Sequence, residues 1–269
     1  MTEGKQLNGK LAAYKGPVKL IESPWNKDGK VFAAVSCRGD IGQDSYHGLN
    51  LAMHVGDEES RVLVNRMRLA ESLDADLSWH WLDQVHGTKV VEVQSDYSAQ
   101  SPLPEADALV TSSARQACCV LTADCLPVFF YSRELMRVAV AHAGWRGLAA
   151  GVLEATLAEF GGRVESVSVW FGPAIGPCHF EVGEEVYTQF LNAANNEETA
   201  ASLAAAFVPS SHENRFMADL VALATARLKM AGVRDLSGGN LCTYCDPNSF
   251  YSFRREPVCG RMASLIYIK

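Results

Sequence analysis

Three short segments put reactive side chains where an apolar strand ends or turns: Gln84-Val85-His86-Gly87, Thr122-Ala123-Asp124-Cys125-Leu126-Pro127, and Ala141-His142-Ala143-Gly144-Trp145-Arg146-Gly147. Such positions let a rigid sheet present a ligand or a catalyst. Cys125 and His142 could pair as nucleophile and base of a cysteine hydrolase. Gly144, two residues after His142, permits close backbone approach. Asp124 either caps a turn, orients a ligand or moves a proton. Arg146 stands ahead of a helix and either forms a surface ion pair or holds phosphate or a ribose group. The candidate catalytic set is therefore Cys125, His142, Asp124 and Arg146, with Arg38, Asn50, Gln84 and Arg66 as candidate substrate contacts. Spacing alone does not establish that the three segments meet.

The cysteines also bear on metal or redox chemistry. The chain has 8, at 37, 118, 119, 125, 178, 242, 245 and 259. Only Cys242-x-x-Cys245 has a familiar ligand spacing, and no second such pair or nearby His pair completes a structural zinc site. Cys242 and Cys245 are read as structural thiols or a secondary metal site, outside the catalytic set. Cys178 and His179 are adjacent, and strand neighbours point to opposite faces, so they are not expected to serve one site. The glycines of Gly172-Pro173-Ala174-Ile175-Gly176-Pro177-Cys178 make a stiff turn that could expose amides to a substrate. The sequence has no GxxxxGK[ST], GxGxxG, GxSxG or HExxH motif, which removes the common routes to an NTPase, dehydrogenase, serine hydrolase or metalloprotease. The zinc deaminase pattern also fails, because Pro177-Cys178 is followed by His179-Phe180-Glu181.

The elements that must position these residues follow from periodicity. Strands are expected at Val31 to Ser36, Trp79 to Trp81, Val90 to Val93, Ala108 to Thr111, Ala117 to Thr122, Pro127 to Tyr131, Arg137 to Ala141, Val167 to Phe171 and Ser264 to Ile268. Several are continuously apolar, which suits burial on both faces. Asp57-Glu58-Glu59 opens a helix at its positive end, and Leu63, Met67, Ala70 and Leu73 form its expected buried stripe. Further helices are expected at Gly147 to Phe160, Glu184 to Leu191 and Ala218 to Ala231, with Asn192 to Pro209 as an exposed insertion. The alternation predicts one α/β (α+β) domain over residues 1–269, a layered sandwich of mixed sheets covered by helices, with residues 1–16 weakly ordered or forming an edge.

A chain of 269 residues, 48% hydrophobic and 20% charged, buries a sizeable core. Its 24 basic against 31 acidic residues give a net charge of -7, which disfavours nucleic acid or an anionic membrane as partner. No secretory signal pattern or bilayer-length apolar run is present, so a cytoplasmic location with reduced thiols is expected.

The segments QVHGTKVVEV, ADALVT, TADCLPVFF, AVAHAGWRGLAAGV, GPAIGPCHFEVGEEV and NLCTYCDPNSFYSFRRE resemble, in order and separation, the laccase-domain or YfiH-type family. It is also called the multicopper polyphenol oxidoreductase family and, more recently, a purine nucleoside phosphorylase family. The resemblance covers roughly residues 30 to 268. It implies a single zinc held by His86, Cys125 and His142, three protein ligands that leave the fourth position open as a catalytic zinc requires. It implies phosphorolysis of purine nucleosides with phosphate, and deamination of adenosine, on adenosine, inosine and methylthioadenosine. It also offers a second activity, a Cys/His amide hydrolase in peptidoglycan precursor editing, since the family's fold is likened to that of a toxin deamidase. A partner-binding protein that keeps zinc only for stability is the third reading. Copper is expected only as an ion added in vitro: a laccase needs a multinuclear cluster fed by His-x-His pairs, and the 7 His here include none.

Overall fold

In the computed structural model, which describes residues 14–42, 44–74, 76–95 and 102–269, two sheets lie face to face between layers of helix. The first sheet runs β1 (Leu20–Glu22), β2 (Val31–Ser36), β14 (Met262–Ile268), β6 (Gln116–Thr122) and β3 (Ser78–His80). The second runs β13 (Asp235–Gly238), β9 (Val167–Phe171), β7 (Leu126–Ser132), β8 (Arg137–Ala143), β5 (Ala108–Thr111) and β4 (Val90–Val93). Both are mixed: β3 is parallel to β6, β4 to β5 and β13 to β9, while the other pairs are antiparallel. A small antiparallel sheet of β10 (Glu181–Gly183), β12 (Arg215–Ala218) and β11 (Phe207–Pro209) stands beside them.

The continuously apolar strands are buried on both faces, as expected. In β6, Cys118 and Val120 point into the core between the sheets, whereas Ala117, Cys119 and Leu121 point outward beneath α1 (Glu59–Glu71). In β7, Phe129 and Tyr131 enter the same inter-sheet core, and Val128 and Phe130 face the helices on the far side. Those helices are α2 (Trp145–Ala150), α3 (Val152–Ala158), α4 (Glu184–Asn192), α5 (Glu197–Ala204) and α6 (Leu220–Met230). With period two, each strand must be apolar at every position to serve both cores.

The structure departs from the sequence reading in three places. Helix α1 does not bury the expected stripe: Leu63 is 48% and Met67 61% exposed, and the inward face carries Arg61, Val62, Asn65 and Leu69. Its polar members find partners inside the fold: Arg61 pairs with Asp57 and Asp44, and the Asn65 amide group donates to the carbonyl of Asn50 at 2.9 Å. The helix expected from Gly147 to Phe160 is two, broken at Gly151, whose φ of 104° is open to glycine. Arg227 of α6 donates to the carbonyl of Ala149 at the break and pairs with Glu154. The stretch Asn192 to Pro209 is no exposed insertion, since it contains α5 and β11 and sends Leu203 and Phe207 into the core. Residues 1–13 of the amino-terminal stretch lie outside the described residues, but Tyr14 is buried against Leu49 and Leu51 and donates to the carbonyl of Pro17 at 3.0 Å. No described helix is long and apolar enough to cross a membrane.

Replacing Gly151 by Ala keeps ordinary contact distances but forces a side chain into the positive-φ break. A loss of about 1–2 kcal/mol is expected, read as a lower urea midpoint with unchanged slope.

Candidate metal centre and cleft

Four chain segments deliver side chains to one end of the second sheet. His142 lies at the end of β8, Cys125 immediately before β7, Asp107 immediately before β5, and His86 on the loop leading to β4. Because β8 runs antiparallel to both β7 and β5, its end meets their starts. One ligand atom each from His86, Cys125 and His142 lies within 4.8 Å of the others, and the two imidazoles meet edge to face at 4.7 Å. Glycine keeps this space clear: a Cβ on Gly144 would come within 2.7 Å of His86 Cδ2 and 3.0 Å of Cys125 Sγ.

The arrangement is fixed by a residue that sequence reasoning missed. Asp107 is fully buried, and its carboxylate accepts from the backbone N–H of His86 at 3.0 Å and of Gly87 at 2.6 Å. The same carboxylate accepts from His142 Nδ1 at 2.8 Å, and the Asp107 carbonyl accepts the His142 N–H at 2.7 Å. One anion therefore sets the turn that carries one imidazole and the orientation of the other, leaving His142 Nε2 for the metal. Burial alone would raise the Asp107 carboxyl, but His142 and the Gly87 and His86 amides hold it below its ordinary value. Its signal in the sequence was a lone acid inside the apolar ADALVT run.

Burial would push the Cys125 thiol up, yet the neighbouring His142 and His86 imidazoles outweigh it and bring it down to about 6. Conversely, burial lowers His142, while Cys125 and Asp107 together raise it to about 9. Without metal the pair is thus a thiolate facing an imidazolium. The thiolate is the form that binds a soft divalent ion, and such an ion would displace the imidazole proton. Two imidazoles and one thiolate, oriented by a carboxylate, fit a zinc or copper ion.

The other candidates divide between the cleft and its scaffold. Gln84 lines the cleft and clamps Leu121, donating to its carbonyl at 2.9 Å and accepting its N–H at 2.7 Å, which pins the His86 loop to β6. Asp124 also lines it, but its carboxylate accepts from Thr243 Oγ1 at 2.6 Å and from the Arg254 N–H at 2.7 Å, a clamp between two loops. Arg146 stands exposed at the mouth, its guanidinium over Trp145 at 4.4 Å. Arg38, Asn50 and Arg66 are not among the cleft-lining residues. Arg38 is buried over the Tyr251 ring, Asn50 holds the Ala52 and Arg261 backbone, and Arg66 donates to the Leu51 carbonyl over Trp81.

The three ligands open onto a cleft of about 590 Å³. Its walls bring in Arg215, Arg254 and Arg261, together with Phe180, Phe253 and Glu181, none of which the sequence singled out as a contact. They come from β10, β12 and the loop before β14, so their convergence depends on chain segments far from the ligand motifs.

Residues 32–269 match the family model described as multi-copper polyphenol oxidoreductase laccase. The chain is 46% identical over 246 residues to a purine nucleoside phosphorylase of Pseudomonas aeruginosa, spanning 91% of this chain and 96% of the relative. It is 41% identical over 251 residues to purine nucleoside phosphorylase YfiH of Escherichia coli, spanning 93% and 99%. The crystal structure of a Neisseria meningitidis protein superimposes with a TM-score of 0.83 at 38% identity, covering 93% of this chain and 99% of that one.

Two outcomes follow from this geometry. Asp107→Asn keeps the side-chain volume but loses the anion, and should weaken zinc binding by roughly 10–100-fold in chelator competition. In metal-stripped protein, alkylation of Cys125 should fall as pH drops through about 6, the point at which the thiolate takes up its proton. The rate is followed by mass mapping of the modified peptide, and a midpoint near that of a free thiol would show that the imidazoles do not act on it.

Proposed function

The chain belongs to the multi-copper polyphenol oxidoreductase laccase family, and from that premise we propose that it cleaves purine nucleosides with phosphate. The observation that carries this reading is the open three-ligand set at the floor of a cleft that also offers guanidinium groups and aromatic rings. Its volume lies in the ordinary range for a small-molecule site. A multicopper oxidase needs several clustered imidazoles, and neither ligand group among the described residues holds more than two.

In phosphorolysis a phosphate oxygen attacks the anomeric carbon while the bond to the purine nitrogen breaks, and the base leaves with the bonding electron pair and takes up a proton. Arg146, Arg215 and Arg261 line the cleft as the groups to hold phosphate, and Trp145, Phe180 and Phe253 offer faces on which a base can stack. Glu181 and Glu185 supply negative charge where the sugar becomes positive. His86, Cys125 and His142 would hold zinc, which when bound supplies Lewis-acid polarisation and lowers the pKa of water. The same polarity suits deamination, in which water replaces the amino group of adenosine to give inosine and ammonia. The substrates in this reading are a purine nucleoside and phosphate.

The geometry favours one second reading. Cys125, His142 and Asp107 stand in the order nucleophile, base and orienting carboxylate, so the metal-free site has the parts of a cysteine amide hydrolase.

Zinc-loaded protein incubated with adenosine should release adenine and ribose 1-phosphate only when phosphate is present, and inosine with or without it, as separated by chromatography. His142→Ala should reduce both reactions by 100-fold or more, the order expected for loss of a metal ligand or general base. Adenosine left intact in both tubes, together with chelator-resistant labelling of Cys125 by an electrophilic amide, would replace this reading with the hydrolase.

A further inference from the structure

We propose that Cys178, His179, Cys242 and Cys245 form a second metal site, closed by four protein ligands, that holds zinc or a similarly soft divalent ion behind the cleft wall. The four residues each offer one ligand atom, and all four atoms lie within 4.8 Å of one another. Cys178 Sγ is 3.0 Å and Cys245 Sγ 3.4 Å from His179 Nδ1, and the two sulfurs are 3.6 Å apart. Tetrahedral coordination with Zn–S bonds of about 2.3 Å sets two sulfurs roughly 3.8 Å apart, so the sulfurs already stand near their liganded separation.

The expectation that Cys178 and His179 face opposite ways fails because they occupy a turn after Pro177, not a strand. The Cys-x-x-Cys pair, which lacked partners in the sequence, finds them across the fold. An isolated bridge between Ala174 and Cys242, with the Ala174 N–H donating to the Leu241 carbonyl at 3.2 Å and the Ala174 carbonyl accepting the Thr243 N–H at 2.9 Å, lays one loop against the other. The His179 ring stacks on Tyr244 at 3.9 Å, which fixes its plane while Nδ1 faces the thiols.

The surroundings of the sulfurs suit an ion. Cys242 Sγ accepts the Gly176 N–H at 3.2 Å. Three sulfurs and one imidazole nitrogen gathered within 4.8 Å are a set that a single divalent ion can join. Three thiolates and one imidazole are a closed structural-zinc set, unlike the open His86, Cys125 and His142 group.

The site shares no ligand with that group, but it braces the same cleft. Thr243, inside the Cys-x-x-Cys turn, donates to Asp124, and the Asp124 carbonyl accepts the Ile175 N–H at 2.9 Å. Arg254, which lines the cleft, donates to the His179 and Glu181 carbonyls.

The test is metal content of the full chain purified with reductant and loaded with zinc, then dialysed and measured by plasma mass spectrometry. Wild type should hold two zinc ions per chain, His86→Ala/His142→Ala one, and Cys242→Ser/Cys245→Ser one. Cobalt loaded into His86→Ala/His142→Ala should show the intense thiolate charge-transfer band of a three-sulfur tetrahedral site, a signature independent of any activity and of how the serine variant folds. One zinc in wild type that vanishes in His86→Ala/His142→Ala, or a cobalt spectrum without that band, would overturn the proposal. So would a thiol titration of unfolded, unreduced protein that finds two thiols too few and a disulfide-linked peptide from these cysteines.

Discussion

The buried carboxylate of Asp107 is the interaction on which the site depends. A lone anion inside a protein is costly, and here the cost is offset by four convergent donors: the Val85, His86 and Gly87 amides and the His142 ring. Each donor is also a positional constraint. The amides hold His86 in a left-handed turn with φ of 59°, and the ring bond selects which His142 nitrogen faces the thiol. Neither imidazole is placed by its own packing alone. A neutral amide at this position would satisfy fewer donors and remove the charge that favours the metal-binding geometry.

That carboxylate works because the sheet beneath it is rigid. Strands β5, β7 and β8 are buried on both faces, so side chains from two cores lock their register and their ends cannot drift. Two-sided burial explains the runs of unbroken apolar residues, and it explains why the polar groups sit only where those runs stop. The helices add a further restriction. Gly147 of α2 approaches the Gly87 carbonyl so closely that a Cβ there would lie 3.0 Å from it, so the His86 loop is held between α2 and β5.

The strand positions and the two-sided sheets were legible in the sequence, since a continuous apolar run in a short segment has few other readings. Helix α1 was not, because an amphipathic pattern assumes that polar groups face water. Asp44 and Asp57 pair with Arg61 inside the fold and the Asn50 carbonyl accepts from Asn65, and no periodicity encodes those partners. The ligands His86, Cys125 and His142 were visible as polar interruptions, and the resemblance to a known family tied them together. Asp107 was passed over because an acid before a strand reads as a turn former. The arginines of the cleft wall come from distant segments, and only the fold shows which of the chain's cations face the ligands.

The two chemistries open to the centre are states of one electrostatic arrangement. Without a cation, Cys125 and His142 stabilise each other as thiolate and imidazolium, which lowers the first thiol and raises the second ring. A divalent ion held by His86, Cys125 and His142 would take the place of the imidazolium proton as the positive partner of the thiolate and would quench the nucleophile that the metal-free pair creates. The site therefore cannot work as metal centre and as cysteine nucleophile at once. Asp107 serves both states, since an anion on the outer nitrogen of His142 stabilises an imidazolium and also strengthens a metal-bound imidazole. In either state the three side chains open onto a cleft lined by guanidinium groups and aromatic rings. Guanidinium groups draw an anionic co-substrate and the rings a flat heterocycle, a pairing that fits nucleoside and phosphate better than a simple amide.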